Sequence, residues 1–110
     1  MGDNLRVLEA ARAVVHDVNR LIDGPSRRLI NVDQLRASAA SITANIREAY
    51  GRRKGPDRNQ FFRFARASAE ETDEHLRNNY AESRVPAKRY WCIHNRLSVI
   101  VKMLNRLMGE

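Results

Sequence analysis

The chain has 110 residues, of which 43% are hydrophobic and 30% charged, and its 20 lysines and arginines against 13 acids give a formal charge of +7. This length suits one domain over residues 1–110 with one core, and the apolar content excludes a disordered chain. A single cysteine, Cys92, excludes an internal disulfide and a thiolate metal cluster, which fits a reducing, cytoplasmic setting, while the basic excess points to an anionic partner: RNA, DNA or an acidic protein face.

The opening MGDNLRVLEAARAVV carries early acids and no continuous apolar run, so it does not resemble a signal peptide. Arg6 stands where a myristoylation signal wants serine or threonine. No stretch approaches the roughly 18 apolar residues of a membrane span, so no membrane role is expected. A first helix is expected from about Asn4 to Ile22, with Leu8, Ala11, Val15, Val18 and Ile22 as its apolar stripe. Asp3 or Asn4 would cap it and Gly24-Pro25 would stop it, before a basic loop Ser26-Arg27-Arg28.

The strongest local signal lies in QLRASAASITANIREAYG, Gln34 to Gly51. Leu35, Ala39, Ile42, Ile46 and Ala49 form an apolar stripe, with Ser41, Asn45 and Glu48 as a polar stripe beside it. Ala37, Ser38, Ala40 and Ala44 keep the helix thin. Asn31 with Gln34 reads as a capping box and Ile30 with Leu35 as a staple, so this helix is expected from Val32 to about Tyr50. Gly51 would end it in the left-handed conformation.

The corner GRRKGP, Gly51 to Pro56, leads to a third helix over about Asp57 to Ala81, with Asp57 as a candidate cap. Its expected inner face is Phe61, Ala65, Ser68, Thr72, Leu76 and Tyr80. Ser68, Glu71 and Thr72 would hydrogen-bond across to Ser41, Asn45 or Glu48, in a buried polar layer that sets register. Val85-Pro86 breaks the chain again. A fourth helix should run from about Ala87 to Met108, with Tyr90, Ile93, Leu97, Ile100, Val101, Leu104, Leu107 and Met108 inward. Four helices of about 20 residues joined by short turns define an all-α, antiparallel up-down-up-down four-helix bundle. Val7, Val14, Leu21, Val99 and Met103 exceed what one inner face needs, which suggests a subunit contact and a homo-oligomer.

Arginine clusters along one segment. Arg47, Arg52, Arg53, Lys54, Arg58, Arg63 and Arg66 face only Glu48 and Asp57 in sequence. Phosphate neutralisation needs such clustering, and arginine offers paired donors. The expected nucleic-acid contacts are therefore Arg47, Arg52, Arg53, Lys54, Arg58 and Arg63, with no base-reading motif beside them. The alternative is a solvated face or a dock for an acidic protein. Arg89 and His94 have a spacing similar to that of a family of helical-bundle ribonucleases, a motif frequent by chance. The polar layer lacks a histidine at catalytic spacing, so no catalytic residue is assigned and the chain is not expected to be an enzyme. His16, His75, His94 and Cys92 are scattered over separate helices and faces, so neither a metal nor a cofactor is expected. Tyr90 and Trp91 are expected at an interface.

SITANIREAYGRR followed by FFRFARASAEETDEHL resembles the four-helix-bundle family named after the 23S ribosomal RNA intervening-sequence protein. Gln34, Leu35, Arg36, Ser41, Ile42, Asn45, Ile46, Glu48, Arg53, Phe61, Ala65, Ser68, Glu71 and Leu76 stand on that family's pattern. Ala49 and Ala67 replace glycines of the pattern, which implies slightly looser helix contacts at those points. The resemblance implies a small bundle that assembles into rings, typically pentamers, and it carries no catalytic residues. Related basic bundles serve as accessory proteins to reverse transcriptases, binding RNA and protein.

Overall fold

The computed structural model describes residues 2–24 and 28–110, with side chains from Arg6 onward. Four helices form: α1 Gly2–Asp23, α2 Val32–Tyr50, α3 Pro56–Ala81 and α4 Ala87–Met108. The bounds of α2 and α4 are those the spacing predicts. α3 starts one residue early because Pro56 occupies its first turn, where a missing N–H costs nothing and the ring's φ already suits a helix. α1 starts at Gly2, so Asp3 and Asn4 lie inside the helix and do not precede it as caps. The expected stop at Pro25 and the Ser26-Arg27 part of the basic loop lie outside the described residues.

Side-chain pairs give the direction of the helices. On α2 and α3, Ser41 meets Ser68 and Ser38 meets Thr72, so numbers rise on one helix as they fall on the other. Asp73 meets His94 and Arg66 meets Asn105 across α3 and α4 in the same opposed sense. Each helix packs against its two neighbours in the order α1, α2, α3, α4 and back to α1, giving an antiparallel bundle with apolar residues of all four in one core.

Two inner faces differ from the expected ones. On α1 the buried residues are Val7, Ala11, Val14, Val18 and Leu21, while Leu8, Val15 and Ile22 are only half-buried. Both stripes have three-four spacing and share Ala11 and Val18. The positions of α2 and α4 decide which one points inward. Val7, Val14 and Leu21 are therefore core residues and no longer candidates for a subunit contact. On α3 the buried stripe is Phe62, Ala65, Ala69, Thr72, Leu76 and Asn79, while Phe61, Ser68 and Tyr80 sit half-buried at its border.

The α2–α3 seam is polar in its middle, as expected, but with different members. Ser68 Oγ donates to Ser41 Oγ at 2.9 Å, and Asn45 Nδ2 donates to the same oxygen at 3.0 Å. Buried Ser38, expected only to thin the helix, lies 2.8 Å from Thr72 Oγ1 and passes its own proton to the Leu35 carbonyl. Glu48 and Glu71 are exposed and stay outside this seam. A carboxylate has no proton to give and is costly to bury, so hydroxyls and an amide fill the layer.

At one end of the bundle, fully buried Asn79 holds residue 30. Its Oδ1 accepts from Ile30 N–H at 2.8 Å and its Nδ2 donates to the Ile30 carbonyl at 3.1 Å. Next to it Asn31 is left-handed, with φ 55° and ψ 42°, and makes no side-chain cap bond, so the expected capping box does not form. A residue with positive φ has left the extended conformation from which an N-cap oxygen reaches back into the helix. Asparagine is among the few residues that adopt it readily.

Candidate nucleic-acid interface

The other end of α2 carries the basic corner. Its last carbonyls have no partners within the helix and must find donors elsewhere. The Gly51 N–H donates to the Arg47 and Glu48 carbonyls, and the Arg52 N–H to that of Ala49 at 3.1 Å. Arg58, from the first turn of α3, braces the turn: its Nε donates to the Ala49 carbonyl at 3.2 Å and to the Arg52 carbonyl at 2.9 Å. The Arg58 guanidinium also lies 5.3 Å from the centre of the Tyr50 ring. With its carbonyls bonded this way, α2 ends without a left-handed residue, and Gly51 keeps an ordinary φ of −78°. The position that needs glycine is Gly55, with φ 151° and ψ −166°, in a region open essentially to glycine alone.

Arg52 is also tied into the corner. It pairs with Glu48 at 2.7 Å and with Asp57 at 3.0 Å, and its guanidinium lies 4.0 Å over the Phe61 ring. The hydrogen bond to Glu48, with Asp57 nearby, raises its pKa above the ordinary arginine value. Of the six residues expected to contact nucleic acid, Arg52 and Arg58 thus hold the turn together. Arg53 and Lys54 stand exposed at its tip, and neither is ion-paired to an acid among the described residues. Arg47 is exposed one turn back along α2. Arg63 is exposed and sits 4.0 Å from Glu110, whose carboxylate is held mainly by Arg66 at 2.8 Å. That hydrogen bond, and the charges of Arg66 and Arg63, lower the Glu110 pKa.

An aromatic side chain near this corner was missed in the sequence. Phe64 is 44% exposed and meets Phe61 edge-on, with centroids 5.5 Å apart. The signal was present in FFRF: with Phe62 inside, Phe64 lies two residues on and turns about 200° away.

The two members of the Arg89–His94 motif do not come together. His94 Nδ1 lies 2.7 Å from Asp73, and Arg77 bonds the second oxygen of that carboxylate at 2.8 Å. Arg89 instead lines a groove with Asp17, Arg20 and Cys92 between α1 and α4, so it and His94 face different neighbours. Trp91 is 49% exposed and sits edge-on to Tyr90 and His94. Among the described residues, no three His, Cys, Asp or Glu side chains are grouped to hold a metal, and no helix is long and apolar enough to cross a membrane.

Comparison with known proteins follows the same architecture. No curated protein is similar to the chain at a significant level. Among solved structures, a protein from Bacteroides thetaiotaomicron VPI-5482 described as of unknown function, from the S23 ribosomal protein family, is 25% identical. The match covers 98% of this chain and 99% of that one, with a TM-score of 0.81. The family model described as 23S rRNA-intervening sequence protein matches residues 3–106, which takes in all but the extreme ends of the bundle. With its four antiparallel helices and that near-complete match, the chain belongs to the family of 23S rRNA-intervening sequence proteins.

Proposed function

We propose that the chain is a non-enzymatic, basic scaffold that binds RNA or other nucleic acid through phosphates, without strong sequence specificity, in a cytoplasmic setting. The observation that carries the reading is the tip of the α2–α3 turn. Arg53 and Lys54 are exposed there without an acidic partner among the described residues, on a backbone braced by Arg58 and Arg52. A braced turn presents cations with little further ordering on binding, which favours contact with a phosphate chain. Arg47 and Arg63 flank the tip, and exposed Phe64 offers a face on which a base can stack. In this reading Arg52 and Arg58 position the turn more than they contact phosphate.

The proposal includes a homo-oligomer, a pentamer by the family resemblance. Val99, 46% exposed on α4, with half-buried Met103 one turn further on, supports a subunit contact. Repeating the turn around an axis would let several weak phosphate contacts act together.

The test is fluorescence anisotropy with a structured RNA and a duplex DNA over a salt series, on protein freed of nucleic acid. Binding should weaken linearly on a log–log plot, with a slope of about 0.7–0.9 per phosphate contact. The double variant Arg53→Glu, Lys54→Glu should bind roughly tenfold or more weakly. Its melting temperature should stay close to that of the parent, because both side chains are exposed and neither is ion-paired among the described residues. Unchanged affinity removes the turn as the site. Absence of binding at low salt, together with capture of an acidic protein, would favour the protein-interaction scaffold instead.

A further inference from the structure

A shallow groove of about 250 Å³ runs between α1 and α2, lined by Arg12, Val15, Ala40, Thr43 and Arg47. Thr43 is only 9% exposed, and its buried Oγ1 has no hydrogen-bond partner among the described residues. A helical threonine usually returns its hydroxyl proton to the carbonyl one turn back, so an unbonded one is unusual. Leaving a buried hydroxyl unbonded is unfavourable in the free protein. Above it, Arg12 and Arg47 are both exposed, and neither is ion-paired to an acid among the described residues. The floor is low because alanine occupies position 40.

We infer that this groove binds a backbone phosphate of single-stranded RNA, with Arg12 and Arg47 as a two-sided clamp and the Thr43 hydroxyl as a third donor, an assignment that rests on the nucleic-acid reading above. Two guanidiniums on either side of one depression match the spread of charge on phosphate oxygens. The hydroxyl lacks a partner in the free protein, and a rotation about χ1 into the groove would give it a phosphate oxygen. Val15 and Ala40 provide an apolar wall against which a ribose can rest. Arg47 belongs both to this groove and to the flank of the basic corner, so the two form one track along α2.

The experiment titrates a labelled hexauridylate into the protein and three variants: Arg12→Gln, Thr43→Val and the corner pair Arg53→Glu, Lys54→Glu. Arg12→Gln should weaken binding roughly tenfold and lower the salt slope by about 0.7, the value for one single-stranded phosphate contact. Thr43→Val keeps the side-chain shape and removes the unbonded hydroxyl. It should weaken binding severalfold while leaving the melting temperature equal to or above that of the parent. A structural role for Thr43 would instead lower the melting temperature and leave binding alone. If Arg12→Gln and Thr43→Val bind like the parent while the corner pair loses affinity, the groove assignment is wrong and the nucleic-acid reading stands. If the parent binds neither hexauridylate nor structured RNA at low salt, both are wrong.

Discussion

Asn79 shows what one side chain does in this bundle. It is wholly buried, yet its amide is bonded at both ends to the backbone of Ile30, 49 residues away. The pair of bonds resembles one rung of a β-ladder and fixes the chain just before it enters α2. Nothing local marks Asn79 for the core, because its partner is a backbone group that only the folded chain brings near. Asn79→Ala should destabilise the protein by about 1–3 kcal/mol, since it strands the partly buried N–H and carbonyl of Ile30 and leaves a small cavity. Urea denaturation measures this, and a loss below about 1 kcal/mol would show that water replaces the amide without difficulty. Ser38 and Thr43 teach the same lesson in milder form. They lie five residues apart on α2, yet one joins a hydroxyl chain and the other is left unbonded, a contrast set by which neighbour stands opposite.

For a helix, the useful question is where its terminal groups find partners. The sequence shows the ends of α2 well but misassigns how they are capped. Asn31 looks like an N-cap and adopts a left-handed conformation instead, while Gly51 looks like a left-handed C-cap and has ordinary backbone angles. At Asn31 the reason is tertiary, since Asn79 bonds the residue before it. At Gly51 the backbone N–H groups of Gly51 and Arg52 donate to the last carbonyls without a left-handed residue, and Arg58 adds a bond to Ala49. This leads to a paired expectation. Gly55→Ala should cost about 1–3 kcal/mol, because its φ of 151° is closed to residues with a Cβ. Gly51→Ala should be neutral or raise stability by up to about 1 kcal/mol, since an added Cβ meets only ordinary contacts, the nearest at 3.4 Å. Thermal melts of the two variants decide it, and the reverse order would mean that Gly51, not Gly55, is the position that requires glycine. The family pattern also reads differently once folded. Arg36 clamps Asn19 and Asp23 of α1, Ser41, Asn45 and Ser68 build the seam, and Glu48 holds Arg52. Much of the resemblance therefore rests on residues that hold the bundle together. Ala67, one of the two departures, is exposed and loosens no core contact, while Ala49 is buried.

For the molecule as a whole, charge and leftover apolar surface are the features that bear on function. Val99 is 46% exposed on α4, and Met103, one turn further on, is only half-buried. Sedimentation velocity should show a species several times the 12.7 kDa of one chain. Val99→Asp should shift it toward the monomer without loss of helical signal. A monomeric parent would remove the subunit contact from the proposal. What the sequence determined by itself is the bundle. Apolar repeats at three and four, broken by Gly and Pro, are local properties, and they located four helices to within a few residues. It also placed the seam partners Ser41 and Ser68 and the arginine-rich corner. Only the tertiary structure decided which of two equally spaced stripes on α1 faces the core, that Phe62 and not Phe61 enters it, and that Arg52 and Arg58 brace the corner while Arg53 and Lys54 stand exposed, without an acidic partner among the described residues. Each of those outcomes depends on what lies across from a side chain. A helix's own periodicity fixes the angles among its residues but not the direction from which its neighbours approach.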